Sequence, residues 1–322
     1  MYNDVKLEKG LYNLSGKSFV QALEAVDPTS AYEGTPLAKL AKLDAYERQL
    51  KRFDIKVSGD CCDTVEKFFA TTESAVLFPE FLRRSIKKGF DQAILGDIVA
   101  AESKCDCNQY IGCVLDDSAA YTTTSEGAEL PAASVTESTS ATTLLKYGRI
   151  INASYEAVRQ QRLDVFAVML TSIGIKLANS IMSSAVSTLS SGVTPITSAT
   201  LTYAALTSLY GEFSSFEMNG IIVSPSSAAE IFAMTQMQEA AVESNGRTYL
   251  PFGAEIIKTS AASDDLIIGL DRNFALELIK SSDLVMDTDK IINRQLDSIA
   301  VSVNCGFRKL TADAVHTLKI TG

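Results

Sequence analysis

The chain has 322 residues, of which 46% are apolar and 21% charged; that is enough for a sizeable core in one elaborate domain or two smaller ones, and it excludes global disorder. A net charge of −10 excludes a protein whose whole surface grips phosphate, so any such contact needs a local patch. The start, MYNDVKLEKG, has no apolar stretch of signal-peptide type, and no membrane span is expected, because Lys176 and Asn179 interrupt the most apolar run.

Residues 1–75 read as helical. Thr35-Pro36 is a good helix start, with Thr as N-cap and Pro at the first helical position. Leu37, Leu40, Leu43, Tyr46, Leu50 and Phe53 follow at three- and four-residue spacing, which predicts one amphipathic helix to about Phe53. That face needs an apolar partner, either the chain's own core or a neighbouring subunit. Residues 76–100, VLFPEFLRRSIKKGFDQAILGDIVA, continue helical, with Leu82, Ile86 and Phe90 on one face and Arg83, Arg84, Lys87 and Lys88 largely elsewhere. Gly89 after two lysines predicts a helix C-terminus.

Residues 105–145 contain no Lys and no Arg but carry Asp106, Asp116, Asp117, Glu126, Glu129 and Glu137. A Thr/Ser-rich connection of that length is uncommon in a compact domain unless it has a task of its own. YIGCVL (110–115) and LLKYGRIINASY (144–155) have β character and bracket the Gly127 and Pro131 punctuation, so the segment predicts a long two-stranded excursion with an irregular tip. A lone hairpin is marginal in water and should rest on something.

A long helix is expected from Arg159 to Ser190, with Leu163, Phe166, Leu170, Ile173, Leu177 and Ile181 in one apolar row and Val165, Val168, Ile175, Met182 and Val186 around the rest. A helix apolar nearly all round is buried on most sides. Gly192 and Pro195 end it. Downstream, residues 205–213 read as a helix, NGIIVSP as a buried strand leading into a helix to about Ala240, and YLPFGAEIIKTS, DLIIGLD and FALELIKSSDLVMD as short strands. Two more strands close the chain, at 299–307 and 314–320, which makes the fold class α+β.

Catalytic chemistry is hard to find in this sequence. His316 is the only histidine and lies in an alternating strand, where packing explains it. No G-x-S-x-G, P-loop or dinucleotide fingerprint occurs. Asp264-Asp265 and the pair Asp287 and Asp289 sit at expected turns, where Asp serves local hydrogen bonds. Cys105, Cys107 and Cys113 lack zinc-knuckle spacing, and Cys61, Cys62 and Cys305 complete a set expected to be free thiols in a reducing compartment. No catalytic residue, cofactor or metal is expected, and the chain reads as a scaffold.

The order of these segments resembles the major capsid protein of tailed bacteriophages, the Hong Kong 97-type fold shared with encapsulins. TSEGAELP followed by LLKYGRIINASYEAV looks like the extended loop returning into the P-domain; RQQRLDVFAVMLTSIGIKLANSIMSSAV looks like the spine helix. NGIIVSPSSAAEI and YLPFGAEIIKTSAASDDLIIGLDRNFALEL look like the A-domain, and DSIAVSVNCGFRKLTADAVHTLKI like the closing P-domain strands. The resemblance divides the chain into an N-terminal arm or helical region (1–75), a helical segment (76–104), the extended loop (105–155), the spine helix (156–194), the A-domain (195–285) and closing strands (286–322).

It implies a non-enzymatic virion protein, assembled in the host cytoplasm, that forms hexamers and pentamers of an icosahedral shell. The shell would enclose double-stranded DNA without sequence preference, meet portal, scaffolding or decoration proteins, and involve no membrane. In that family the loop lies over a neighbouring subunit, which accounts for a long, polar, acidic segment. Glu126 and Glu129 are therefore expected to meet the basic Arg83, Arg84, Lys87 and Lys88 of another subunit. The alternatives are an encapsulin-type shell around a protein cargo, and a cytoplasmic α+β enzyme of unknown chemistry.

Overall fold

Three capping boxes start helices in the N-terminal region of the computed structural model, which describes residues 2–14, 17–92, 94–116, 123–239, 243–244, 247–281, 284–291 and 296–322. Ser18, Asp44 and Thr71 each accept the amide of the residue three positions on, whose side chain reaches back to the cap's own N–H. They open α1 (Phe19–Val26), α2 (Ala45–Arg52) and α3 (Thr72–Ala75). Then come α4 (Phe78–Asp91), with Pro79 in its first turn, and strands β1 (Ala101–Lys104), β2 (Gln109–Tyr110), β3 (Cys113–Asp116), β4 (Ser134–Glu137), β5 (Thr142–Thr143) and β6 (Leu145–Ser154). Helices α5 (Tyr155–Arg159) and α6 (Leu163–Ser190) follow, then β7 (Ile196–Ser198), α7 (Tyr203–Gly211), β8 (Gly220–Val223), α8 (Pro225–Phe232) and α9 (Thr235–Glu239). The rest is strand: β9 (Glu243–Ser244), β10 (Arg247–Thr248), β11 (Glu255–Lys258), β12 (Leu266–Leu270), β13 (Leu276–Lys280), β14 (Val285–Ile291), β15 (Leu296–Lys309) and β16 (Val315–Ile320).

The chain forms two units. The first comprises Met1–Gln92, Arg149–Lys176 and Met286–Val301. Its core joins Leu23, Phe68, Leu77, Leu82, Ile86, Leu163 and Leu170, all buried, and Phe78 stacks on Phe166 with ring centroids 6.4 Å apart. The expected single helix from Leu37 to Phe53 is divided: a 3-10 turn at Ala38–Lys42 stops at Leu43, and Asp44 caps α2 anew, because an Asp side chain competes for the backbone amide. Leu40, Tyr46 and Leu50 of the predicted row are buried within the same chain, whereas Leu37 stays exposed. Arg48 lies fully buried beneath them, with Nε on Asp27 Oδ2 at 2.8 Å and Nη2 on Glu24 Oε2 at 3.1 Å. The Tyr32 ring lies 4.9 Å from the guanidinium, and its hydroxyl donates to Asp27.

The second unit comprises Ala93–Gly148, Leu177–Val285 and Ser302–Gly322. A mixed five-stranded sheet in the order β11-β8-β12-β16-β7 carries its core: Ile221, Val223, Ile267 and Leu318 pack against Leu206, Leu209 and Ile231 of α7 and α8. Strand β8 is buried along its whole length, as its unbroken GIIV run requires. In a second sheet β13 lies between β1, to which it is parallel, and β15, to which it is antiparallel; β14 and β6 also pair with β15.

The structure corrects three expected boundaries. Gly89 does not end its helix, which runs on to Asp91. The helix expected from Arg159 is broken at Gln160–Arg162, where Gln161 instead bonds Val65 and Arg162 bridges Thr64. The helix expected to reach Ala240 ends at Phe232, and a short second helix follows it. By length and composition α6 could cross a membrane, but its Leu163, Leu170, Ile181 and Leu189 are core residues. Its other side is not covered in the single chain: Val168 is 69% exposed, and Val165 and Met169 are exposed beside it.

Candidate assembly surface

The loop is built in two parts. At its root, Cys105 donates its amide to Lys280 O, Leu144 donates to Asn108 O at 2.9 Å, and the short β2–β5 pair joins Gln109 to Thr143. The buried carboxylate of Glu277 gathers this region. Its Oε1 accepts from the Ser103 hydroxyl at 2.5 Å and the Tyr110 hydroxyl at 3.2 Å, and its Oε2 from Arg308 Nε at 2.9 Å. Beyond Gly112 the chain forms a separate ribbon, β3 with β4, closed by Ser138 N–H to Gly112 O at 2.8 Å. On the ribbon Leu115 pairs across to Val135, and the two are 62% and 68% exposed. Leu130, near the tip, is 73% exposed.

Glu126 and Glu129 stand exposed at a tip turn in which Gly127 takes φ +80°, a conformation glycine adopts without strain. The tip therefore offers exposed carboxylates and bare apolar side chains together. The sequence-expected Asp117 lies outside the described residues.

The basic segment lies in the first unit, on α4. Its two arginines are already engaged. Both grip the fully buried carboxylate of Glu80: Arg83 Nε and Nη2 reach it at 2.8 and 2.9 Å, and Arg84 Nε at 3.0 Å. Arg84 also pairs with Asp44 at 2.8 Å and lies 4.4 Å from the centre of the Tyr46 ring. Burial works against the Arg84 charge, but Asp44 and Glu80 outweigh it and its pKa is raised. Lys87 makes only an exposed contact with Asp91 at 3.4 Å, and Lys88 is exposed. Breaking a buried pair costs about 3–5 kcal/mol, whereas an exposed helical pair is worth ~0.3–0.5 kcal/mol. Lys87 and Lys88 are thus the exposed, weakly engaged charges of the expected set among the described residues, and Arg83 and Arg84 serve their own subunit first.

Glu80 and the Glu277–Arg308 pair went unassigned in the sequence. The available signal was a charge set among apolar residues of a strand or helix: Glu277 in ALELI, Arg308 after CGF and Glu80 in LFPEFL.

The other candidates for chemistry have local work. His316 packs edge-on to Phe213 at 4.7 Å. Asp264 receives the Ser226 hydroxyl at the start of α8, and that bond holds its pKa below the usual carboxylate range. Cys105 Sγ accepts the Cys107 amide at 3.4 Å. Among the described residues no group of three or more His, Cys, Asp or Glu side chains is placed to hold a metal ion.

Comparison with known proteins agrees with this picture. The family model described as phage capsid protein matches residues 136–298, just over half of the chain. No curated protein matches the sequence significantly. Among solved structures, the capsid of an empty GTA particle is similar with a TM-score of 0.55 at 12% identity, over 71% of this chain and 90% of that one. A virus-like particle from Pyrococcus furiosus gives 0.51 at 13% identity, over 74% and 96%. The holo-SrpI encapsulin complex from Synechococcus elongatus gives 0.52 at 14% identity, over 68% and 84%. The α+β fold is of the Hong Kong 97 type, and the chain belongs to the phage capsid protein family.

Proposed function

We propose that this protein is the major capsid protein of a tailed bacteriophage. Copies assemble into pentamers and hexamers of an icosahedral shell that encloses double-stranded DNA, with no enzymatic step and no cofactor. The observation that carries the reading is the combination of the family match with a loop whose Leu115, Leu130 and Val135 have no cover in the single chain. Leaving such side chains in water forfeits roughly 1.5–3 kcal/mol each relative to full burial, which a neighbouring copy restores. Head-to-tail contacts that close into rings provide such a neighbour. The exposed Val165, Val168 and Met169 of α6 are a second surface for the same purpose.

In this reading residues 105–155 are the intersubunit loop, 156–194 the spine helix, 195–285 the A-domain and 286–322 the closing strands. The acidic tip meets the exposed Lys87 and Lys88 of another copy. DNA is held by enclosure, which a net charge of −10 permits. Portal, scaffolding or decoration proteins complete the virion, which is assembled in the host cytoplasm. The test is the content of purified particles: nuclease-protected DNA and a high 260/280 nm absorbance ratio support the phage reading. A packaged enzyme without nucleic acid overturns it in favour of an encapsulin-type compartment.

A further inference from the structure

We propose that Glu277 and Arg308 form a clamp that sets the angle at which the loop leaves the body and confines its motion to the ribbon beyond Gly112. The two residues are direct partners across β13 and β15, with Arg308 Nη2 2.8 Å from Glu277 Oε2. From there the pair reaches into the loop in both directions. Glu277 takes the hydroxyls of Ser103 and Tyr110 on the outgoing chain. Arg308 turns its remaining nitrogen, Nη1, to Cys113 O at 2.8 Å, on the first residue of the exposed ribbon.

Two glycines show how closely the root is seated. Gly112 is buried, and the space a Cβ would need there is filled by the Arg308 guanidinium. On the return path, a Cβ on Gly306 would lie 2.9 Å from Thr143 O. Both arms of the loop therefore press directly on β15.

The charge pattern explains why the clamp comes from the body. Residues 105–145 contain no Lys or Arg, so a cation that holds their carbonyls must be supplied from elsewhere. Arg308 is nearly buried and would be costly without a counter-charge, which Glu277 provides. The planar guanidinium can serve Glu277 and Cys113 O at once through nitrogens held apart in a fixed fork; a lysine offers one compact ammonium on a flexible stem and does not hold that geometry.

The consequence for assembly rests on the capsid reading above, but the clamp itself is a property of the single subunit. It is tested by amide exchange on unassembled full-length chain, comparing wild type with Arg308→Lys and Gly112→Ala. A further variant, Glu102→Gln, breaks only the more exposed Lys280–Glu102 pair of the same strands. The clamp predicts that amides at 106–115 and 138–144 exchange at least about tenfold faster in Arg308→Lys and Gly112→Ala, as expected for losing a charge-assisted hydrogen bond. Strands β12 and β16 keep wild-type rates, and Glu102→Gln leaves the root unchanged. Unchanged root exchange in both clamp variants overturns the proposal, as does equal acceleration throughout the second unit. If Arg308→Lys fails to fold, Gly112→Ala decides, because its substitution lies outside the strands. Absence of particles from wild type would refute the capsid reading and leave this measurement intact.

Discussion

Gly174 of α6 sits against Gly89 of α4: a Cβ on Gly174 would lie 3.1 Å from the Gly89 carbonyl carbon and overlap Ile86 O. The reverse also holds, since a Cβ on Gly89 would overlap Thr171 O. The helices cross backbone to backbone, and each glycine makes room for the other helix. In an exposed helix Gly→Ala gains up to ~1 kcal/mol. Here the added methyl meets backbone that cannot move without separating the helices, so the clash outweighs the propensity. Gly174→Ala is expected to destabilise the subunit by about 1–3 kcal/mol, seen as a lower urea midpoint at unchanged slope. A raised midpoint would show that the crossing is loose.

The N-terminal region depends on Arg48. Its guanidinium is fully buried between Asp27, Glu24 and the Leu43 carbonyl. Arg48→Met keeps the bulk and leaves Asp27, itself buried, without its counter-charge. The expected loss is about 3–5 kcal/mol. The double variant Arg48→Met/Asp27→Asn should recover part of it, because the orphaned charge is gone. No recovery would mean that packing, rather than charge, carries the site.

The acidic tip and the exposed lysines are tested by charge exchange. Reversing Arg83 and Arg84 would set new carboxylates beside buried Glu80 and damage α4 regardless of any neighbour. Lys87 and Lys88 are the informative positions. Lys87→Glu/Lys88→Glu and Glu126→Lys/Glu129→Lys should each slow assembly, and the combination should restore part of the rate, since contacting sites are non-additive. A combination no better than the worse parent would show that the loop is acidic for solubility alone.

The loop also bears on covalent cross-linking. Residues 105–145 hold no lysine, and Lys146, the one lysine of the 105–155 loop, lies in β6 on the return path, so the projecting part of the loop carries no amine for an isopeptide bond to a neighbour. Boiled and reduced particles should give one band near 34.6 kDa. A ladder of multimers on the same gel would contradict this.

Much of the fold was legible because apolar periodicity and punctuation were strong. GIIV and LIIGL, short apolar runs rich in β-branched residues between turn signals, are buried strands as read, and Gly192, at φ +72°, ends α6 where the pattern stopped. Gly89 misled because a glycine after lysines resembles a cap; only the crossing helix, distant in sequence, explains it. Asp44 was hidden inside a good heptad-like row, and its preference for capping overrode the row. The loop's exposure and acidity could be read directly. Its clamp could not, because Glu277 and Arg308 meet only when β13 and β15 pair. Arg83 and Arg84 looked free because a single buried Glu80 one turn away draws no attention in a sequence.

The central claim, that copies of this chain close into a capsid shell, is tested most directly by the mass of the purified wild-type assembly in solution, from light scattering or electron microscopy. The account predicts a closed particle in the megadalton range, with the loop ordered between copies. A monomer or small oligomer that persists at high protein concentration would contradict it.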